Sequence, residues 1–110
     1  GSFYGILPLA DGRLLAHGLR GHIYLSRNHG KDWRTIQIDS HPLLSVSIHT
    51  ADGAIILAGQ PRAFLISRDG GQSFESWAVP LTTGLAAIIQ GDDGRIWALG
   101  EAGLTLLPTP

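Results

Sequence analysis

The sequence predicts an all-β fold: a β-propeller segment of about two and three-quarter four-stranded antiparallel blades, with no helix. Three observations predict it. Asp11-Gly12, Asp52-Gly53 and Asp93-Gly94 recur every 41 residues in register, as do Gly18, Gly59 and Gly100. Residues 11–25 and 93–107 share seven identities, against about one by chance. No window sustains apolar positions at i, i+3, i+4 and i+7, while fifteen glycines and six prolines punctuate short apolar runs. Each full unit divides into four runs of strand length, and four strands in about 40 residues is the period of a propeller blade.

The elements follow in order. Phe3-Tyr4-Gly5-Ile6-Leu7-Pro8-Leu9 is a first apolar strand, and Asp11-Gly12 is the dipeptide favoured in two-residue type I′ hairpin turns. Leu14-Leu15-Ala16-His17 returns and stops at Gly18. His22-Ile23-Tyr24-Leu25 runs to a polar turn, and Arg34-Thr35-Ile36-Gln37-Ile38 alternates at period two, as a half-covered strand does. The second unit places strands at 44–48, 54–58, 63–67 and 74–79. The third offers 85–89, 95–99 and 103–107, then Pro108-Thr109-Pro110, where proline cannot donate to a ladder. The expected division is therefore a first blade at 3–43, a second at 44–84 and an incomplete third at 85–110. Continuous apolar runs such as Ile55-Ile56-Leu57 need cover on both faces, which neighbouring blades supply.

The polar turns are Ser26-Arg27-Asn28-His29-Gly30-Lys31-Asp32-Trp33 and, 41 residues on, Ser67-Arg68-Asp69-Gly70-Gly71-Gln72-Ser73-Phe74. A short Asp or Asn side chain accepts hydrogen bonds from nearby backbone amides and closes a turn locally. Glycine two positions later permits positive φ, the serine hydroxyl is a second acceptor, and the aromatic returns the chain to the core. Ser26, Asn28, Gly30 and Trp33, with Ser67, Asp69, Gly71 and Phe74, are thus expected to be structural. A calcium loop needs several carboxylates, whereas Asp69 stands alone opposite Asn28.

These turns resemble the Asp-box, Ser-x-Asp-x-Gly-x-Thr-Trp, also called the bacterial neuraminidase repeat. Ser67, Asp69, Gly71 and Phe74 match it; in the first copy Asn28 replaces the aspartate and Asp32 the threonine. The resemblance implies a turn between the third and fourth strands of a blade, away from the active face. Over nearly the whole chain the units are similar to those of the photosystem II assembly and stability factor-like proteins, whose repeats also run Asp-Gly, strand, Gly, strand, box. That likeness implies an extracytoplasmic, periplasmic or lumenal, non-enzymatic scaffold.

Composition narrows the function classes. A net charge of −1 gives no sign of a nucleic-acid surface or a polybasic anchor. No apolar run approaches the roughly 20 residues of a membrane-spanning helix. Zero cysteines exclude disulfides and thiolate metal sites. Gly1-Ser2 reads as a cloning remnant, and the chain as a piece of a six- to eight-bladed protein of roughly 250–330 residues.

Three sets of residues are candidates for chemistry. A sialidase-like or other glycan-active enzyme, the alternative function, needs an arginine triad and a tyrosine paired with a glutamate; Arg13, Arg27, Arg68 and Arg95 fall in turns at one end, Tyr24 lies mid-strand, and Glu75 and Glu101 have no partner in sequence. His17 and His22 can meet across a hairpin with His41 nearby, but the repeats replace them by Ala58 and Ala63, so no metal and no cofactor are expected. Trp33, Trp77 and Trp97 align with apolar positions and are expected to pack in the core. The remaining reading is a non-catalytic protein-binding or assembly scaffold. Its binding residues are expected on the loops at the opposite end: Arg20, His22, His41, Gln60, Arg62 and Glu101. The third unit ends on an unpaired edge at 104–107, and the outer units each leave an apolar face bare. A homo-oligomer is expected, through blade faces or edge strands.

Overall fold

The computed structural model describes residues 3–60, 62–81 and 84–110. Gly1-Ser2, read as a cloning remnant, lie outside them, as do Pro61 and Thr82-Thr83 in two of the predicted loops. Among the described residues, eleven strands form three antiparallel meanders. The first sheet is β1 (Phe3–Pro8), β2 (Leu14–Gly18), β3 (Ile23–Ser26) and β4 (Arg34–Ile36). The second is β5 (Leu43–His49), β6 (Ile55–Gln60), β7 (Ala63–Ser67) and β8 (Glu75–Ser76). The third is β9 (Leu85–Gln90), β10 (Ile96–Gly100) and β11 (Gly103–Leu106). The all-β class and the count of four, four and three strands agree with the sequence.

The outermost strands are shorter than expected, β8 spanning only Glu75–Ser76 within the predicted 74–79. An outer strand has one neighbour to pair with, and Pro80 removes a donor. Past Ser76 the Trp77 amide still donates to the Phe64 carbonyl at 2.8 Å, after which Trp77 and Val79 pack as apolar side chains rather than as ladder.

The sheets stack face to face. One core joins the first two sheets: Leu15, Ile23, Leu25 and Ile36 meet Leu44, Ile55, Leu57 and Leu65. The other joins the second and third: Ile56, Ala58, Phe64 and Ile66 meet Ile88, Ile96, Ala98 and Leu107. Strand β6 therefore feeds both, and Ile55, Ile56 and Leu57 are 1%, 0% and 0% exposed. Alternation sends odd residues to one neighbour and even residues to the other, which explains a run with no polar face.

Equivalent hairpins close differently. At Asp11-Gly12 both central residues have positive φ, 61° and 75°, and Arg13 N–H donates to Ala10 O at 3.3 Å, the two-residue turn expected. At Asp52-Gly53 and Asp93-Gly94 only the glycine is left-handed, and its N–H donates to Thr50 O and Gly91 O respectively, each at 3.0 Å.

The two polar turns share one wiring. Ser26 Oγ accepts from Gly30 N–H at 2.8 Å, and Ser67 Oγ from Gly71 N–H at 2.9 Å. Asn28 Oδ1 then accepts from Asp32 N–H, as Asp69 Oδ1 does from Ser73 N–H. The departures from the motif compensate each other. Asn28 donates through Nδ2 to the Asp32 carboxylate at 2.8 Å, whereas Ser73 donates its hydroxyl to the Asp69 carboxylate. Bonds from the Ser73 hydroxyl and amide, then from Ser67, hold the Asp69 carboxyl down at about 2.

Trp33 corrects an expectation. It is 41% exposed, its indole N–H donating to Gly30 O at 3.0 Å, while its equivalent Phe74 packs into the core between the first two sheets. Phe74 faces the first sheet, whereas among the described residues no sheet covers the side of the first on which Trp33 lies. Trp97, also expected in a core, is half-buried on the third sheet's outer face, paired with Ile89 and Leu106.

Candidate functional site

Meander topology puts the β1–β2 hairpin and the polar turn at one end of each blade, and the β2–β3 loop and the link to the next blade at the other. Hydrogen bonds knit each pair together. His29 N–H donates to Gly12 O at 2.9 Å at the first end; at the second, Gly21 N–H donates to Pro42 O. Gly21 is required twice over. Its φ is +71°, and a Cβ there would lie 2.7 Å from the Ser40 carbonyl oxygen. The loop carrying Arg20 and His22 is thereby held against the link carrying Ser40 and His41.

A cavity of about 470 Å³ results, lined by Arg20, His22, Tyr24, Thr35, Gln37, Ser40 and His41 among others. A second, of about 390 Å³, shares Ser40 and His41 and continues to Arg62, Ser76 and Trp77. Four of the six predicted binding residues, Arg20, His22, His41 and Arg62, thus line two adjoining hollows on the first two blades. Gln60 is exposed in the same hairpin as Arg62 and lines neither. Glu101 sits one blade further on, where its N–H donates to Gly84 O at 3.0 Å.

The two arginines sit in matching backbone states. Arg20 has φ 60° and Arg62 φ 49°, the left-handed region that costs a residue with Cβ roughly 1 kcal/mol or more. The hollows offer donors in quantity: two guanidinium groups, two imidazoles, the Tyr24 and Ser hydroxyls and the Gln37 amide. No carboxylate is among the described residues lining either one.

Sequence reasoning missed Tyr24, Gln37 and Trp77 as site residues. Tyr24 is only half-buried, and edge contacts with Phe3 and His22, at centroid separations of 5.6 and 6.1 Å, hold its ring. Trp77 stands perpendicular to Phe64 at 6.0 Å, so it packs as expected while showing part of its ring to the second hollow. Residue types at strand ends give no sign of such double duty.

His17 lies apart from the site. It is 1% exposed between the first two sheets, and its Nδ1–H donates to Leu44 O at 2.9 Å. Gly5 makes room for the ring, since a Cβ there would fall 2.6 Å from Cε1 and Nε2. Burial lowers its pKa, the Leu44 bond opposing only in part, which favours the neutral imidazole. The meeting of His17 with His22 considered from sequence does not form the site: His17 points into the stack, His22 into the cavity.

No protein-family model matches the chain, and no curated protein matches it. Solved structures do. The chain is similar to the WD40 β-propeller domain of Doa1, with TM-score 0.72 and 18% identity over 96% of this chain and 36% of that one. It is also similar to YCF48 bound to D1 peptide, with TM-score 0.60 and 17% identity over 100% of this chain and 40% of that one. At such identities the likeness shows the fold, a β-propeller arrangement, and this chain spans 36% and 40% of the two chains it matches.

Proposed function

We propose that the chain is a non-catalytic protein-binding module whose two adjoining hollows take an acidic protein segment. The observation that carries this is the convergence of Arg20, His22, His41 and Arg62 with no carboxylate among the described lining residues. Arginine forks suit carboxylates, and two cations in adjoining hollows suit a segment with several. That YCF48 was solved with a peptide bound supports the class of ligand. The enzyme alternative needs a tyrosine beside a carboxylate, and Tyr24 shares its cavity with Arg20 and His22 instead. In this reading the Ser-Asn and Ser-Asp turns are structural, and self-association through the bare blade faces builds the assembly. An extracytoplasmic setting goes with it, carried by the resemblance of the repeats alone.

The test is titration of blocked hexaglutamate at low salt, with hexalysine as the sign control. Arg20→Ala with Arg62→Ala is expected to weaken hexaglutamate by roughly tenfold or more, since a bond to a charged group is worth about 1.5–3 kcal/mol. Arg95→Ala is the control at the other end, where its guanidinium pairs with Asp93 at 3.4 Å. Arg13 is unsuitable for that purpose because it donates to Gly70 O of the second blade at 2.9 Å. Equal losses from Arg95→Ala and the double variant would reject the site.

A further inference from the structure

The chain's two end faces are copies of faces that already bind each other inside it. On the first sheet, Phe3, Leu14, Ala16, Tyr24 and Trp33 look away from the stack. Their equivalents 41 residues on are Leu44, Ile55, Leu57, Leu65 and Phe74, the side with which the second sheet packs on the first. The bare side encloses a groove of about 590 Å³ walled by Phe3, Ile6, Ala16, Tyr24 and Trp33.

The third sheet shows the complementary half. Trp97 and Leu99 are the equivalents of Ile56 and Ala58, with which the second sheet packs on the third. Register places Ile89 and Leu106 beside Trp97, and Ala87 and Leu104 beside Leu99. All six are apolar, and Leu104 is 59% exposed. An exposed contiguous face of this kind marks an interaction surface.

We propose that these faces bind each other between two copies of this chain, the third sheet of each seated on the first sheet of the other. This rests on the self-association reading above and specifies which surfaces meet. The occupant follows from the interfaces within the chain: the face type bare on the first sheet and the face type bare on the third are the two that pack on each other at both internal interfaces. The count follows from closure. Propellers have typically four to eight blades; two copies supply six sheets, three would supply nine. A head-to-tail contact that closes after two copies leaves both faces covered and obeys two-fold symmetry.

The test uses the cysteine-free chain. Light scattering after size exclusion at tens of micromolar is expected to give about twice 11.7 kDa. Ala16→Cys and Leu99→Cys are then made separately, and a short bis-maleimide linker is added to each alone and to the two mixed and left to exchange. Covalent dimer is expected in the mixture and not in either variant alone. A dimer that cross-links in a single variant, or in none of the three, keeps self-association and overturns the head-to-tail pairing. A folded monomer overturns both, leaving the faces to further blades of a longer polypeptide. Leu99→Arg is expected to return a folded monomer by circular dichroism and scattering; should it fail to fold, Ile6→Arg on the other face is expected to do the same job, and a persistent dimer in either contradicts the pairing.

Discussion

Gly59→Ala is expected to destabilise the chain by at least about 3 kcal/mol, enough to unfold a marginal domain at ambient temperature. The reason is backbone, not side chain. A Cβ on Gly59 would overlap the Leu43 carbonyl oxygen and lie 2.7 Å from its carbonyl carbon and 3.1 Å from Leu44 Cα. Those atoms belong to the paired strand β5, at the irregularity between Leu44 and Val46, so no rotamer change clears the space. Gly100 faces the same obstruction from Gly84 O and Leu85 Cα. Gly53→Ala is the comparison: φ there is +89° with nothing within 4 Å of the added carbon, so only the left-handed conformation is penalised, by about 1 kcal/mol. Urea melts of the two variants separate the effects. Equal midpoints would show that β5 and β6 lie further apart than described.

Ile56→Ala and Leu57→Ala are each expected to cost about 2–5 kcal/mol. They are consecutive, so on a sheet with one wet face one of them would point to water and cost almost nothing. Here Ile56 packs towards the third sheet and Leu57 towards the first. Comparable losses in denaturant melts are the signature of a sheet covered on both sides. A loss in one variant with none in the other would mean that one neighbouring sheet is not in place.

Much of this fold was legible because the repeat is ungapped. Counting residues from one Asp-Gly to the next located all eleven strands, and Ile55-Ile56-Leu57 announced two-sided cover before any neighbour was known. The recurrence of Gly18, Gly59 and Gly100 was visible, but its cause was not: the bulged strand opposite Gly59 and Gly100 leaves no room for Cβ. Alignment of Trp33 with Phe74 was sound as equivalence and misleading as burial, since burial depends on having a preceding blade. His17 was obscured for the opposite reason. Ala58 and Leu99 stand at its equivalents, so the repeat offered no hint that Gly5 would open a slot for an imidazole. At the candidate site, Arg20, His22, His41 and Arg62 could be chosen because loops at one end of a meander cluster by topology. Tyr24, Gln37 and Trp77 could not, because Tyr24 lies within β3 and the other two on segments that run on from the outer strands, and all three reach the hollows only through three-dimensional packing.

The proposed binding of an acidic segment at the loop end of the first two blades is tested most directly by mapping amide shift changes of the labelled chain on addition of hexaglutamate. Shifts are expected to concentrate at Arg20 to Tyr24, Gln37 to His41, and Arg62, with the turns at Ser26 to Trp33 and Ser67 to Phe74 unmoved. Shifts centred on those turns, or none at millimolar peptide, would contradict it.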